Sequence, residues 1–389
     1  MRGRLFVCLL VITAGFLSAA STAAAGTPGR WTQFTTSNLH NFAEPGLART
    51  ADGVLHVVWH RPVSTSSDSL METALSRGGA VVGGPVTIES GWQGLNPQPD
   101  LVASPDGSTL RVFFAGTHSL TLNDPLNYQL LTATAGADGR TWSAPQRVTS
   151  SSHPSYTSSG IGAAMEPNGT PVVAEGDPGN MFHFGIGGPD FAYETRPGIN
   201  VYDPGIGVDS TTGQAVLAWF SLGNDSHTAG AYGTYLQTIT PSGLSAARAF
   251  LPGSATSDRR NANPPLQRTA ISGRIGADGV YVAYGTGYPS RTGVVLGRVG
   301  GAALTVGRGA SIDNVDVAPA PEGRLWVVWS AGSKIYAVRT NEAATRVGPR
   351  LAVSRPPGSV SVFGLSGEGS LGTLDLVANS GTASNAVAM

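Results

Sequence analysis

The sequence has almost no cysteine or lysine, few charges, and no long apolar segment after its first residues. The one cysteine among 389 residues is Cys8, and the one lysine is Lys334. A chain this poor in cysteine builds neither a disulfide framework nor a cysteine-based zinc site. Only 13% of the residues are charged, and 24 basic residues nearly balance 25 acidic ones. This balance argues against general electrostatic binding to nucleic acid or to an anionic membrane.

The N-terminal residues have the order of a cleavable export signal. Two arginines precede an apolar stretch from Leu5 to Leu17, and small residues follow it. The stretch is shorter than the roughly 20 apolar residues that span a bilayer. We therefore expect residues 1–25 to be removed as a signal peptide. Residues 26–389 would then form a single extracellular domain without a thiol.

A hairpin pattern recurs seven times after this signal. Each copy is a short apolar strand, a turn that ends in glycine, and a strand rich in Val, Trp, Phe and Tyr, as in PDLVASPDGSTLRVFFA at 99–115. Glycine in these turns supplies the positive φ that tight hairpins need. The turn glycines follow one another at steps of 44 to 66 residues and are Gly53, Gly107, Gly169, Gly213, Gly279, Gly323 and Gly369.

The spacing of the hairpins predicts an all-β, seven-bladed β-propeller. Each unit has room for two further strands, and a four-stranded antiparallel sheet must stack on its neighbours to bury both faces. The segment RWTQFTTS at 30–37 has the pattern of a strand without a sheet, whereas only about ten residues follow the last hairpin. We therefore expect the N-terminal strand to close the last blade. A six-bladed ring with a frayed terminal hairpin and an open β-sandwich remain alternatives.

Aromatic residues recur at one position of the second strand in most units, where they alternate with aliphatic residues. This period of two is typical of strands packed on both faces. We interpret these aromatic residues as the core between blades: Trp59, Phe113, Phe114, Trp219, Tyr284, Trp326 and Trp329.

The eight residues from Ala135 to Trp142, AGADGRTW, resemble the Asp-box of sialidase-like propellers. Gly139, Thr141 and Trp142 match that motif, whereas Ala135 replaces its serine and Asp138 lies one position late. The resemblance implies a β-propeller in which the carboxylate caps a hairpin and the aromatic ring packs into the sheet. The Arg-Ile-Pro motif of sialidases is absent, so the resemblance assigns no catalytic residue.

The strand order sorts the loops into two faces. The turns between first and second strands and between third and fourth strands are short and lie on one face. The remaining loops are long and polar, contain most of the histidines, and lie on the opposite face, called here the long-loop face. Long loops on a rigid scaffold commonly form binding sites. The candidate site residues there are His60, Arg61, Trp92, His118, Asp124, Tyr156, Asp177, Tyr202, Arg259 and Arg260.

These residue types suit ligand recognition as well as acid and base chemistry. Histidine titrates near neutral pH, neighbouring arginines bind carboxylates or sulfates, and exposed aromatic rings stack on sugars. Long polar loops also collect such residues without any function. No metal-ligand spacing, phosphate loop or dinucleotide motif is present, so we expect neither a metal nor a cofactor.

Two functions fit the sequence. The first is a secreted binding or scaffold propeller, a monomer that recognises a glycan, a cell-surface component or a protein. The alternative is a glycoside hydrolase or lyase of sialidase-like architecture. The residues leave open whether the chain catalyses a reaction, because the active residues of a propeller enzyme come from different blades and leave no local motif.

Overall fold

The structure, a computed structural model, describes most of the chain between residues 30 and 381. The described ranges are 30–35, 44–64, 67–96, 98–121, 124–127, 129–148, 160–177, 181–186, 201–222, 232–240, 243–245, 248–249, 267–287, 290–309, 311–359 and 361–381. The predicted signal peptide lies outside these ranges. No helix within them has the length and apolarity needed to cross a membrane.

The described residues form seven antiparallel sheets that follow one another along the chain. The first sheet contains β1 (Gly46–Arg49), β2 (Leu55–Ser64), β3 (Ser67–Leu75) and β4 (Val81–Trp92). The second contains β5 (Gly94–Leu95), β6 (Asp100–Ala103), β7 (Thr109–Thr117), β8 (Gln129–Gly136) and β9 (Gln146–Arg147). The third contains β10 (Ile161–Met165), β11 (Pro171–Asp177) and β12 (Met181–Ile186).

The remaining four sheets repeat this hairpin order. The fourth sheet contains β13 (Val201–Val208), β14 (Ala215–Leu222), β15 (Tyr232–Thr240), β16 (Gly243–Leu244) and β17 (Arg248–Ala249). The fifth contains β18 (Ala270–Arg274), β19 (Ala277–Thr286), β20 (Gly293–Arg298) and β21 (Ala303–Arg308). The sixth contains β22 (Ile312–Ala320), β23 (Arg324–Ala331), β24 (Lys334–Arg339) and β25 (Leu351–Ser354), and the seventh β26 (Ser361–Glu368) and β27 (Asp375–Gly381).

Each sheet is apolar on both faces, and β23 shows the cause. Alternate side chains of a strand point to opposite faces of its sheet. Leu325, Val327 and Trp329 therefore pack in a cluster shared with the fifth sheet. Trp326 and Val328 pack in a cluster shared with the seventh sheet. All seven aromatic residues that the sequence assigns to the inter-blade core are buried, which confirms that prediction.

The innermost strands form a closed ring. In the order β1, β6, β10, β13, β18, β22 and β26, each strand contacts the next, and β26 contacts β1. Glycine permits this approach, since a Cβ on Gly46 would lie 2.8 Å from the Leu101 nitrogen and one on Gly162 would lie 2.6 Å from the Pro204 oxygen. The fold is an all-β β-propeller, as the hairpin repeat predicts.

The N-terminal segment joins the ring through side chains. The indole N–H of Trp31 donates to the Ser354 oxygen of the sixth sheet at 2.7 Å. Phe34 packs in the cluster that contains Val377 of β27. Residues 30–35 themselves form no strand in the structure. The prediction that this segment adds a paired strand to the seventh sheet therefore stays a prediction.

A buried arginine connects the two ends of the ring. Arg49 on β1 forms ion pairs with Glu368 on β26 and Asp375 on β27. Its Nη1 also donates to the Gly53 oxygen at 2.8 Å. Because the Arg49 side chain is only 4% exposed, solvent screens these pairs little. The contact fastens the first sheet to the seventh.

The Asp-box-like turn closes the hairpin after β8. Gly139 has a φ of +65°, which favours glycine. The Trp142 indole N–H donates to the Gly139 oxygen at 2.9 Å, and a carboxylate oxygen of Asp138 accepts from the Arg140 N–H at 3.1 Å. These contacts fold the turn locally, although its assignment as an Asp-box stays an interpretation.

This turn covers a buried polar pair of the first sheet. His56 Nδ1 lies 2.8 Å from Glu72 Oε1, and both side chains are buried. A Cβ on Gly139 would lie 2.8 Å from His56 Nδ1. Burial raises the pKa of Glu72, and the hydrogen bond with His56 offsets part of the rise. Gly139 therefore provides the close cover that this pair requires.

Replacement of Arg49 tests the closure of the ring. In Arg49→Met we expect the free energy of unfolding to fall by about 3 kcal/mol, because Glu368 and Asp375 would lose their buried partner. Urea denaturation measures this change. The control is Arg140→Met at an exposed turn position, for which we expect almost no loss. Equal stability of the two variants would show that Arg49 does not fasten the ring.

Replacement of Gly139 tests the covering turn. We expect Gly139→Ala to lower the free energy of unfolding by about 1–3 kcal/mol, because alanine is strained at positive φ and its methyl group would collide with His56. Gly136→Ala in the same hairpin is the control, since a Cβ there would lie 3.8 Å from its nearest contact, a carboxylate oxygen of Asp138. Thermal melting of both variants measures the difference. A melting temperature of Gly139→Ala equal to or above that of Gly136→Ala would contradict the role of Gly139 as a cover for His56.

Candidate functional site

Histidines and carboxylates meet on the long-loop face at the boundary between the first and second sheets. We call this boundary the 1–2 cleft, and its side chains are His60, Asp68, Glu89, Trp92, His118 and Asp124. His60 lies in β2, and its Nε2 is 3.0 Å from Asp68 Oδ2. The same carboxylate oxygen accepts from the Leu95 N–H at 2.9 Å. Neither ring nitrogen of the buried His60 makes an aligned hydrogen bond with the described residues. The contact thus brings the His60 ring and the Asp68 carboxylate of neighbouring strands close together without an aligned hydrogen bond.

His118 carries the most accessible imidazole of this cleft. Its Nδ1 lies 2.7 Å from Asp124 Oδ2, and the Ser119 hydroxyl donates to the same oxygen at 2.7 Å. The Leu126 N–H donates to Asp124 Oδ1 at 3.0 Å. These hydrogen bonds, that of Ser119 above all, lower the pKa of Asp124 to about 2. An ionised carboxylate therefore orients His118, whose side chain is 39% exposed.

The loop after β7 holds this pair in place through one asparagine. Asn127 Nδ2 donates to the oxygens of Ser119 and Thr121 at 2.8 and 3.0 Å. Asn127 Oδ1 accepts from the Ser119 N–H at 2.9 Å. The Asn127 side chain thus supplies hydrogen bonds to the backbone at the point where the loop leaves the sheet and the hydrogen bonds between strands end.

Trp92 supports His118 from below. Its ring meets the His118 ring edge to face, with centroids 5.0 Å apart, and the Phe114 ring at 5.6 Å. Trp92 is 0% exposed. A ring without exposed surface offers no platform to a sugar, so the stacking role that the sequence suggests for Trp92 is wrong.

Glu89 on β4 is an acidic member of the cleft that the sequence analysis missed. Burial raises the pKa of its carboxyl group, and the nearby Trp92 indole N–H and His118 offset part of the rise. The environment thus shifts the pKa of Glu89 and that of Asp124 in opposite directions. Glu89 lies in a strand and not in a loop, and a search restricted to loops does not find it.

The other candidates are distributed differently. Arg61 follows His60 in β2, so its side chain projects from the opposite face of the sheet. Asp177 ends β11 and Tyr202 lies in β13, but their side chains lie outside the described part of the structure. Tyr156, Arg259 and Arg260 lie outside it entirely. The structure therefore brings together His60, Trp92, His118 and Asp124, and it separates Arg61 from them.

A second group of charges fills the axis of the ring. Arg268 lies with Nη1 3.1 Å from Asp100 Oδ1 and with Nε 3.4 Å from Glu44 Oε1. Its Nη2 donates to the Pro45 oxygen at 2.8 Å. These side chains and Asp316 line a cavity of about 140 Å³, which has room for a few water molecules. The axis is thus largely closed by protein side chains.

Asp100 and Asp316 occupy equivalent positions in two repeats. Each lies seven residues before a turn glycine, Gly107 or Gly323. Asp100 accepts from the Ala163 N–H of the third sheet at 2.7 Å. Asp316 accepts from the Gly367 N–H of the seventh sheet at 2.6 Å. Alignment of the repeats on their turn glycines reveals this pair of aspartates. A search of the loops does not find them, because both lie in strands.

No group of three or more His, Cys, Asp or Glu side chains is placed to hold a metal ion within the described ranges. In the 1–2 cleft, the Nδ1 of His118 is engaged by Asp124 and its Nε2 is the remaining ring nitrogen. That nitrogen and the Glu89 carboxyl group can each donate or accept a hydrogen bond, depending on protonation. The chemistry available is hydroxyl recognition or proton transfer.

The axis charges make stability depend on pH. Burial, followed by the charge of Glu44, raises the pKa of Asp316 to about 7. This value exceeds the unfolded value of about 3.9, so the folded chain binds more protons between about pH 4 and pH 7. We expect the free energy of unfolding to fall as the pH rises through that range.

Urea denaturation across this range tests the assignment. Asp316→Asn should flatten the dependence, because asparagine carries no charge. Asp106→Asn is the control, since the pKa of exposed Asp106 is lowered to about 2 by hydrogen bonds, from Ser104 first. If Asp316→Asn keeps the slope of the parent chain, Asp316 does not hold the proton.

Comparison with solved structures supports the fold, whereas comparison of the sequence finds no relative. No family model and no curated protein matches the sequence. The structure is similar to the BP39L lectin of Burkholderia pseudomallei at 12% identity, over 89% of this chain and 100% of that one, with a TM-score of 0.55. It is similar to the SapL1 lectin in complex with alpha methyl fucoside at 14% identity, over 82% and 99% of the two chains, with a TM-score of 0.51.

A weaker likeness is to the Trypanosoma rangeli sialidase. The identity is 12%, the match covers 76% of this chain and 53% of that one, and the TM-score is 0.46. At such identities the two lectin likenesses show a shared fold and do not reveal a ligand or a reaction. The chain is therefore a β-propeller with distant structural relatives.

Proposed function

We propose that this chain is a secreted, seven-bladed β-propeller that binds a glycan in the 1–2 cleft. The seven antiparallel sheets formed by the described residues support this number of blades. Residues 1–25 are removed on export, residues 26–389 form one domain, and the N-terminal segment completes the last blade. The contacts of Trp31 and Phe34 beside β27 support this closure.

The observation that carries the proposal is the imidazole of His118, which is partly exposed and is oriented by Asp124 on one side and by the Trp92 ring on the other. Asp124 fixes the ring, and the exposed part of His118 faces outward from a rigid, buried support formed by Trp92. The free ring nitrogen of His118, with the charge of Glu89 close enough to interact with it, suits the hydroxyl groups of a sugar, which both donate and accept hydrogen bonds. The SapL1 lectin, whose structure has this fold, binds alpha methyl fucoside, so a fucoside is the first probe.

A glycoside hydrolase is the second candidate. Carboxyl groups whose pKa values are shifted in opposite directions are typical of acid and base pairs in enzymes. Here the pKa of Glu89 is raised and that of Asp124 is lowered. Binding fits better, because hydrogen bonds from Ser119, Leu126 and His118 already occupy the Asp124 carboxylate.

The test measures glycan binding by variants of the cleft. The secreted chain is screened on a glycan array and on alpha methyl fucoside, and affinities of retained glycans are measured by calorimetry. We expect His118→Ala to weaken binding about tenfold or more, which corresponds to about 1.4 kcal/mol. Arg140→Ala on the opposite face is the control and should bind like the parent chain.

The possible results separate the candidates. Retention of a glycan without turnover, lost in His118→Ala, supports the binding function. Turnover of a fluorogenic glycoside that is lost in Glu89→Gln would establish the hydrolase instead. Retention of no glycan, or unchanged affinity in His118→Ala, would contradict the proposed site.

A further inference from the structure

Basic residues are concentrated on the outer hairpins of the fifth and sixth sheets. These hairpins span residues 293–309, which contain β20 and β21, and residues 334–355, which contain β24 and β25. Every residue of both segments is described by the structure. Together they contain one of the 25 acidic residues of the chain and seven of its 24 basic residues. We call this surface the basic rim, and its basic residues are Arg298, Arg308, Lys334, Arg339, Arg346, Arg350 and Arg355.

Few carboxylates neutralise the basic rim. Its one acid, Glu342, pairs with Arg324 of β23 at 2.7 Å, and Arg298 pairs with Asp278 at 2.6 Å. Exposed cations without a counter-charge create a local potential that attracts anions. Within the two hairpins, the exposed basic side chains that form no ion pair with the described residues are Arg308, Lys334, Arg346 and Arg350.

Arg350 is held in place before any ligand arrives. Its guanidinium carbon lies 4.9 Å from the centre of the Tyr336 ring. Its Nη1 donates to the main-chain oxygen of Arg308 in the fifth sheet at 3.3 Å. The ring and this hydrogen bond leave the other N–H groups of the guanidinium for a ligand. A cation that is already ordered loses little conformational entropy on binding.

The cations of the basic rim are spread along the strands. Lys334 lies opposite Ser354, and Ala337 lies opposite Leu351. The backbone of Arg350 is therefore four positions from that of Lys334, or about 13 Å at the usual rise of a strand. Cations at this spacing suit a row of anionic groups better than a single carboxylate or phosphate.

We infer that the basic rim binds an acidic polysaccharide, whose successive sugars carry carboxylate or sulfate groups. Six of the seven cations are arginines, and the planar guanidinium binds both groups by paired hydrogen bonds. A membrane surface is also anionic, but proteins that lie on it insert several apolar side chains. Leu351 is the one large apolar side chain of the two hairpins that is exposed, so the rim fits a polysaccharide better.

This surface is separate from the 1–2 cleft. The rim belongs to the fifth and sixth sheets, whereas the cleft lies between the first and second. The inference therefore does not rest on the proposed function of the cleft. We expect His118→Ala to bind acidic polysaccharides like the parent chain, so a failure of either proposal can be recognised by itself.

The test measures binding of the full chain to three polysaccharides by biolayer interferometry. Heparin carries sulfates and carboxylates, polygalacturonate carries carboxylates only, and dextran carries neither. We expect both acidic polysaccharides to bind, with an affinity that falls as salt screens the charges, and dextran not to bind. Arg308→Gln/Arg350→Gln should weaken both by about tenfold or more. The matched control, Arg77→Gln/Arg140→Gln, removes the same charge from turns of the first and second sheets and should leave the affinity unchanged.

A second position tests the rim without touching the contact between Arg350 and Tyr336. Lys334→Gln removes an exposed charge, so we expect normal melting and weaker binding of heparin. Lys334→Arg keeps the charge and should bind heparin like the parent chain.

Several results would overturn the inference. One is that neither acidic polysaccharide binds. Another is that both double variants weaken binding equally, because net charge alone would then explain the affinity. Vesicles of phosphatidylcholine and phosphatidylserine and a duplex DNA are measured in parallel. If either binds through Arg308 and Arg350 more tightly than the polysaccharides do, the rim serves a membrane or a nucleic acid, and the inference is wrong.

Discussion

The stacking of sheets that are apolar on both faces is the constraint from which the rest of this structure follows. A sheet such as the sixth buries Trp329 on one side and Trp326 on the other, so it needs a neighbour on each side. An open row of such sheets would leave two apolar faces in water, and a closed ring leaves none. The first and last sheets must therefore meet, and Arg49 fastens them where they do.

Because the ring is closed, only certain side chains fit on the inner strands that surround its axis. The inner strands approach so closely that glycine lies at Gly46, Gly162 and Gly205. Where an acid takes the same position, as Asp100 and Asp316 do, its carboxylate accepts an N–H from the next sheet. These buried carboxylates need positive charge, which Arg268 supplies from across the axis. The axis is thereby occupied by structural charges, and the glycan site that we propose lies instead between two sheets.

Much of the architecture was predictable from the sequence because it depends on local periodicity. Hairpin glycines and alternating aromatic residues can be recognised within short segments of the sequence. The number of hairpins found in this way matches the number of described sheets. The site was predictable only in part. His118 and Asp124 lie six residues apart in one loop, so local reasoning finds them. Glu89 joins them from a strand of another sheet, and Arg268 reaches Glu44 across 224 residues, so only the packing reveals these partners.

The contact between Arg49 and the last hairpin also has a consequence for synthesis. More than 300 residues separate Arg49 from Glu368 and Asp375. The first sheet emerges early with Val57, Trp59 and Met71 on a face whose partner, Val377, is made last. Contacts this distant in sequence form slowly, and exposed apolar sheets aggregate meanwhile. A chain that stops before β26 therefore leaves this apolar face of the first sheet uncovered, so incomplete synthesis exposes the protein to aggregation.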